Sequence, residues 1–264
     1  MIFVVQLGTI DYATGLRLQQ KLVNLRKEGR IRDVLLLLEH FPVITLGRNA
    51  KAANVIASKE LLAERGVEIF DCDRGGDVTF HGPGQLVGYP IFDLRAFSAD
   101  EGRRKTLGVI EYVRRLEEVL MRTCADFRVP SKRVAGLTGV WTSPQGVAHG
   151  AEPAKIAAIG VHVSRGVTSH GFALNETTDL SFFDLIIPCG ITNRPITSME
   201  KELDKRLMLQ DVTHSVAHNF GKVFHSQVVW RETLDALLEE KVGVPSRPPE
   251  ELRRLHKEDD IHWA

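Results

Sequence analysis

The chain has 264 residues, of which 43% are apolar and 26% charged, and its 34 basic residues balance its 34 acidic residues. This composition is typical of a globular protein with one large domain or two small ones. A nucleic-acid-binding protein normally has a basic excess, so that class is disfavoured. The apolar run at 2–7 has no basic region before it and no run is long enough to span a membrane, so we expect neither a signal peptide nor a membrane segment.

The first half of the chain predicts alternating strands and helices. A strand is expected at 3–7, followed by a helix at 11–30 with leucines at near-helical spacing. The uninterrupted apolar run within 33–39 indicates a strand buried on both faces. The other predicted elements are a short partner strand at 43–46, a helix at 58–65 capped by Ser58, and strands at 67–70 and 85–94.

The second half begins with the longest predicted helix, 105–127, whose buried face is expected to carry Leu107, Ile110, Val113, Leu116 and Leu120. Strands are predicted at 139–142, 156–164 and 168–174, and helices at 211–224 and 233–240. This order favours an α+β fold around a mostly antiparallel or mixed sheet flanked by helices. The composition shifts after residue 241, so we expect a domain at 1–241 and a charged C-terminal tail at 242–264.

The three cysteines, Cys72, Cys124 and Cys189, are odd in number and widely spaced, which is not the pattern of a disulfide framework, and reduced thiols fit a cytoplasmic protein. Cys189 is the leading candidate nucleophile. The proline before it restrains the backbone, and the glycine after it lets a ligand approach and leaves an N–H for an oxyanion. The alternative, a small buried hydrophobe, stays open. Cys72 lies between two aspartates, which disfavour a thiolate, and Cys124 is expected in the core.

Lys155 begins the apolar strand at 155–160. An ammonium near a thiol favours the thiolate and lowers a pKa that starts near ~8.5. Lys155 therefore pairs chemically with Cys189 if the fold brings them together, and otherwise it is a solvated lysine at a strand start. The ten histidines show no paired metal-ligand spacing, so no metal site is expected.

Two further segments combine glycine with polar side chains. Residues 74–85 hold four glycines and a proline, but the segment is neither a Walker loop nor a dinucleotide fingerprint. It either lines a pocket or forms an elaborate turn, and His81 is an acid–base or a structural histidine. In 169–175, His170 either orients Lys155 or Cys189 or is a buried, hydrogen-bonded histidine. No G-x-S-x-G sequence supports a serine triad.

Taken together, these segments resemble the lipoyl/octanoyl transferase family, the octanoyl-[acyl carrier protein]:protein N-octanoyltransferases. The motifs that carry the resemblance are R-G-G-x-x-T-x-H-G-P-G-Q at 74–85, K-I-A-A-I-G at 155–160, S-H-G-F-A-L-N at 169–175 and P-C-G at 188–190. They occur in the order and at the separations of the family. Two features depart from its pattern: a longer loop at 143–153 and the tail after residue 242.

The resemblance implies a mixed sheet flanked by helices, like that of the biotin and lipoate protein ligases, and a catalytic domain at 1–241. It implies Cys189 as the acyl-thioester nucleophile and Lys155 as the group that lowers its pKa. It also implies a substrate pocket formed by Arg74, Gly75, Gly76, Asp77, Val78, Thr79, Phe80, His81, Ala158, Ile159, Gly160, Gly171, Phe172 and Ala173.

The same resemblance implies the reaction partners. The donor is octanoyl-acyl carrier protein, and the acceptors are lysines of the lipoyl domains of 2-oxoacid dehydrogenases and of the glycine cleavage H protein. No cofactor is implied, and we expect a cytoplasmic monomer. Three other hypotheses stay open: an ATP-dependent lipoate–protein ligase, an amidotransferase that moves octanoyl between carrier lysines, and a non-catalytic acyl- or carrier-binding protein.

Overall fold

The computed structural model describes residues 1–100, 103–142, 152–188, 194–235 and 237, without side chains for 98–100 and 103–105. Cys189, Gly190 and the predicted tail at 242–264 lie outside the described residues, as does half of the predicted helix at 233–240. Five α-helices occur in the described part: α1 (Tyr12–Lys27), α2 (Lys59–Glu64), α3 (Val109–Asp126), α4 (Met199–Leu203) and α5 (Leu209–Val223).

The strands of the described part are β1 (Ile2–Ile10), β2 (Asp33–His40), β3 (Val43–Leu46), β4 (Glu68–Asp71), β5 (Val78–His81), β6 (Gln85–Ile91), β7 (Ser98–Asp100), β8 (Arg103–Thr106), β9 (Ser131–Val134), β10 (Leu137–Thr142), β11 (Lys155–Ser164), β12 (Val167–Asn175) and β13 (Val228–Trp230). Eight of them form the main sheet in the order β13-β1-β2-β6-β12-β11-β10-β9. β1 is parallel to β13 and β2, and the other neighbours are antiparallel. The sheet is therefore mixed, as expected.

Helices cover both faces of this sheet. In β2, Leu35 and Leu37 face the core beneath α3 and α5, whereas Leu36 and Leu38 face the core beneath α1. Successive side chains of a strand point to opposite faces, so a strand between two helical layers is apolar at every position. The prediction that this strand is buried on both faces is thereby confirmed. Within the described residues, no helix has the length and apolar character needed to cross a membrane.

A second, three-stranded sheet corrects one predicted pairing. β3 pairs with β4 in parallel and with β5 antiparallel, and thus is not a partner of β2. β5 lies within the glycine-rich segment, where the sequence indicated only a loop. Ile44, Val78, Phe80 and Leu185 contribute to a separate apolar cluster beside this sheet. The hairpin of β7 and β8 and the strands β9 and β13 were also missed.

The buried face of α3 differs from the predicted one. Tyr112, Leu116, Leu120 and Cys124 are fully buried, but Ile110 is 81% exposed. Ile110 lies six residues before Leu116, which at ~3.6 residues per turn places it about a third of a turn away from the buried face. α3 begins only at Val109, so the predicted start at 105 was wrong. The expectation that Cys124 is a core residue is confirmed, and burial raises the pKa of its thiol to about 12.

Candidate active site

A pocket opens between the glycine-rich segment and the antiparallel pair β11–β12; we call it the central pocket. Its empty volume is about 480 Å³, including the solvent at its mouth. Most of the residues predicted to bind substrate line it: Arg74, Gly75, Gly76, Thr79, His81, Ala158, Ile159, Gly160, Gly171, Phe172 and Ala173. Four other lining residues are Tyr12, Val87, Tyr89 and His170. Tyr12, Val87 and Tyr89 belong to no motif, so no local pattern indicated that they line the pocket.

Three residues predicted for the pocket do not line it. Val78 and Phe80 point into the apolar cluster beside the three-stranded sheet, and Phe80 stacks on Phe182 with ring centroids 4.7 Å apart. Thr79 faces the pocket because alternate side chains of β5 point to opposite sides. Asp77 stabilises the loop instead, accepting hydrogen bonds from Asn54 Nδ2 at 2.6 Å and from the backbone N–H of Val78 at 2.8 Å.

Close contact between two backbones forms one wall of the central pocket. The N–H of Gly75 donates to the carbonyl of Val161 on β11 at 3.0 Å. A Cβ atom on Gly160 would lie only 2.7 Å from the carbonyl oxygen of Gly75. Glycine at position 160 is therefore a steric requirement of this contact, which explains why both motifs are rich in glycine.

Arg74 fixes the path of the glycine-rich segment. Its side chain is buried, and its guanidinium donates to Thr45 Oγ1 from Nε at 3.1 Å and from Nη2 at 2.9 Å. Nη2 also donates to the carbonyls of Thr45 at 2.7 Å and Asp77 at 2.6 Å, and Nη1 to that of Gly75 at 3.0 Å. The planar fork of donors matches these oxygens, which compensate in part for burying the charge.

A buried hydrogen-bond chain connects the pocket with the segment just before α4. His81 Nδ1 lies 2.7 Å from Gln85 Oε1, so Nδ1 carries the proton. Gln85 Nε2 donates to Asn175 Oδ1 at 2.8 Å, and Asn175 Nδ2 donates to the carbonyl of Thr197 at 3.0 Å. Burial, reinforced by the nearby His40, lowers the pKa of His81 to about 3. His81 is therefore a neutral part of the scaffold at physiological pH.

Lys155 lies at the end of this chain. Its backbone N–H donates to the carbonyl of Pro195 at 2.8 Å, and its carbonyl accepts from the N–H of Thr197 at 3.0 Å. Its ammonium lies 4.8 Å from the ring centroid of Trp141, and the guanidinium of Arg194 approaches the same ring at 6.0 Å. Two cations near one aromatic ring mark this corner as electropositive.

His170 occupies the opposite end of the central pocket. Its imidazole Nε2 lies 2.7 Å from Asp73 Oδ1, and it pairs in register with Val161 on β11. Six residues of strand separate Val161 from Lys155, roughly 20 Å at ~3.3 Å per residue. Of the alternatives left open for His170, orientation of Lys155 is therefore excluded and a buried, hydrogen-bonded histidine is supported; Cys189 lies outside the described residues.

The sequence is similar to those of known proteins. The sequence profile of the lipoyl protein ligase A/B catalytic domain matches residues 11–221. An alignment of 264 residues with an octanoyltransferase of Koribacter versatilis shows 60% identity and covers 99% of each protein. The chain is also 60% identical to an octanoyltransferase of Acidobacterium capsulatum over 239 residues, covering 90% of this chain and 96% of the relative.

Solved structures show the same fold. A bipartite lipoate protein ligase from Thermoplasma acidophilum superposes with a TM-score of 0.66 at 14% identity, covering 97% of this chain and 90% of that one. The likeness confirms the expected mixed sheet flanked by helices. With the sequence matches, it leads to one conclusion: the chain belongs to the octanoyltransferases of the lipoyl protein ligase A/B family, and it is an acyltransferase that acts in protein lipoylation.

Proposed function

We propose that the chain takes an octanoyl group from octanoyl-acyl carrier protein onto Cys189 as a thioester and passes it to a lysine of a lipoyl domain. The observation that carries this proposal is the anchoring of the chain on both sides of Cys189. Two residues before it, the N–H of Ile187 donates to the carbonyl of Asn54 at 2.7 Å. Six residues after it, the carbonyl of Pro195 accepts from the N–H of Lys155. These anchors support an approach of Cys189 to Lys155.

The first step exchanges one thioester for another. The thiolate of Cys189 attacks the carbonyl carbon of the octanoyl thioester, a new C–S bond forms, and the pantetheine thiolate leaves with a proton from solvent or from Lys155. The exchange is nearly isoenergetic, so no ATP is required. Lys155 stabilises the thiolate by its charge, and a backbone N–H near Gly190 holds the oxyanion.

The second step forms the stable product. The amine of the acceptor lysine attacks the acyl carbon, a C–N bond forms, the C–S bond to Cys189 breaks, and the amine proton passes through Lys155 to the departing thiolate. An amide is more stable than a thioester, so this step drives the overall reaction. Lysine is suited to both steps because it carries a proton that it can release and regain.

The central pocket suits an unbranched acyl chain. Glycine, alanine and isoleucine of β11 form one side and Phe172 and Ala173 of β12 another. Transfer of eight carbons from water, at ~0.8 kcal/mol per methylene, stabilises the bound acyl group by about 6 kcal/mol before the losses on ordering. The pocket thus binds the part of the donor that does not react and holds its carbonyl near the cysteine.

Intact-protein mass spectrometry tests the proposal. The wild type is incubated with octanoyl-acyl carrier protein without ATP, beside Cys189→Ala and the matched control Cys72→Ala. We expect a hydroxylamine-sensitive octanoyl adduct in the wild type and in Cys72→Ala and none in Cys189→Ala. Full transfer activity in Cys189→Ala would contradict the thioester route. Transfer that requires ATP and free octanoate would establish a ligase instead.

A further inference from the structure

His170 separates two cavities. It lines the central pocket, and it also lines a second, more polar cavity between α1 and the far end of β11–β12, which we call the outer cavity. The outer cavity has an empty volume of about 960 Å³, including open solvent, and Gln19, Lys27, Cys72, Asp73 and His162 are among its lining residues. Among the described residues that line either cavity, His170 alone lines both.

An interruption of the main sheet aims the side chain of His170 into this position. The β12–β6 register pairs Phe172 with Gly88 and resumes at Val167 with Asp93, so Pro90 stands opposite His170. Proline has no N–H to donate across the strands. His170 adopts φ +55°, a left-handed conformation that side chains rarely occupy within a strand, and its N–H donates to Gln19 Oε1 at 2.6 Å instead.

Two further contacts hold the imidazole in place. Nε2 donates to Asp73 Oδ1 at 2.7 Å, and the ring meets Tyr89 edge-on with centroids 6.4 Å apart. The His170 residue is only 3% exposed. A strained backbone whose N–H and imidazole Nε2 are both hydrogen-bonded is typical of a side chain that the surrounding structure holds in one orientation. The ring is therefore a rigid partition.

Along β11 and β12, the partition lies at the end of the central pocket away from Lys155. Ala158, Ile159 and Gly160 line the pocket between Lys155 and Val161, the strand partner of His170. An acyl chain whose thioester lies at Lys155 thus directs its methyl end toward the imidazole. We infer that His170 is the end wall of the central pocket and limits the length of the acyl group that the enzyme accepts. This inference rests on the proposed function.

Substitution by glycine tests the wall, because glycine adopts φ +55° without strain and removes the ring. The wild type and His170→Gly are offered equimolar octanoyl, decanoyl and dodecanoyl thioesters of the carrier protein, and acyl-enzyme masses are compared. We expect the dodecanoyl-to-octanoyl ratio to rise by about tenfold, since one methylene that a pocket can or cannot accommodate changes discrimination by ~10-fold or more. His170→Asn, which also tolerates positive φ, is expected to give a smaller rise and serves if the glycine variant does not fold.

His162→Ala is the matched control. His162 Nε2 also lies near Asp73, at 3.5 Å from Oδ2, but it lines only the outer cavity. Loss of the His162 ring should leave the dodecanoyl-to-octanoyl ratio unchanged. If His170→Gly still forms octanoyl-enzyme but has the same dodecanoyl-to-octanoyl ratio as the wild type, the inference that His170 is the end wall is wrong.

A binding measurement separates this inference from the proposed function. Calorimetry with octanoyl- and dodecanoyl-pantetheine is carried out in the Cys189→Ala background, where the proposal predicts no adduct. If adding His170→Gly shifts the relative affinity toward dodecanoyl-pantetheine, His170 is supported as the end wall even if the wild type forms no acyl-enzyme. If the relative affinity for the two ligands does not change, the end-wall role of His170 is wrong even if the thioester route is correct.

Discussion

Gln85 joins the glycine-rich segment to the end of β12, because its side-chain amide donates to Asn175 Oδ1 across 2.8 Å. The oxygen of the same amide accepts from His81 Nδ1. Asn175 in turn donates to the carbonyl of Thr197, and the N–H of Thr197 donates to the carbonyl of Lys155. Side chains from two motifs thus position the backbone that carries the candidate acid–base. All the side-chain members of this chain are buried, so water cannot replace a lost partner.

Replacing Gln85 by Leu should break this chain in its middle. The substitution leaves His81 Nδ1 and Asn175 Oδ1 buried without their partner, which we expect to cost about 2–3 kcal/mol in the free energy of unfolding. Urea unfolding of Gln85→Leu, Asn175→Leu and the double variant measures the coupling. The double variant should be less destabilised than the two single effects combined, and simple additivity would argue that the two residues act independently.

Arg74→Lys should destabilise the protein and weaken octanoyl transfer although it keeps the charge. Lysine has three donors on one nitrogen and cannot reach the oxygens of Thr45, Gly75 and Asp77 together. We expect a loss of about 2 kcal/mol in unfolding free energy, because partners of the buried fork are left without donors. Arg48→Lys is the control, since Arg48 is exposed in the same loop region. Equal stability of the two variants would contradict this role.

The sequence predicted the main strands well because their apolar runs reflect burial directly. Leu35 to Leu38 are apolar at every position because both faces of β2 are covered. β5 was missed because Thr79 and His81 face a pocket, so their polarity resembles that of a loop. β13 has only three residues, too few for a periodic pattern, and it pairs with β1 from the other end of the chain.

The candidate site was predictable where glycine and polar residues form motifs, and not elsewhere. Glycine at position 160 reports a close backbone contact that a Cβ would prevent. Tyr12 reaches the central pocket from α1, which no local pattern reveals. Motif membership also does not tell which way a side chain points: Phe80 lies between Thr79 and His81 in one motif but packs into an apolar cluster.

Lys155→Ala should abolish octanoyl transfer and slow the alkylation of Cys189 at neutral pH. If the ammonium lies near the thiolate, its removal should raise the pKa of the Cys189 thiol, because an opposite charge no longer stabilises the ionised form. The rate of iodoacetamide labelling of Cys189 as a function of pH, read by peptide mass spectrometry, measures the shift.

Lys132→Ala provides the control for this substitution. Lys132 pairs in register with Trp141 on the far side from Lys155 and is exposed. Its replacement should change neither the labelling profile nor transfer. Cys124 should stay unlabelled in every folded variant, since it is fully buried and its pKa is raised to about 12. An unchanged Cys189 profile in Lys155→Ala would assign the lysine a different role.

Glu176 should make the stability of the protein depend on pH near neutrality. The residue is 1% exposed, its Oε1 has no hydrogen-bond partner among the described residues, and burial together with repulsion from Glu39 raises its pKa to about 7. A carboxyl group with a folded-state pKa above its ordinary value of 4.5 stabilises the fold while it is protonated in the folded state. This stabilisation is fully present below pH 4.5 and is lost as the pH rises through 7.

Glu176→Gln mimics the protonated form at every pH. The variant should match the wild type near pH 4.5 and exceed its unfolding free energy by about 1–3 kcal/mol at pH 8, because the wild type alone then buries a charge. Urea unfolding at both pH values, with Glu64→Gln on the exposed surface of α2 as the control, measures this difference. A variant that is no more stable than the wild type at pH 8 would mean that the Glu176 carboxylate is stabilised by groups other than those described. The pH dependence of this difference in unfolding free energy is decisive, because replacing an ordinary surface carboxylate changes the unfolding free energy by nearly the same amount at both pH values.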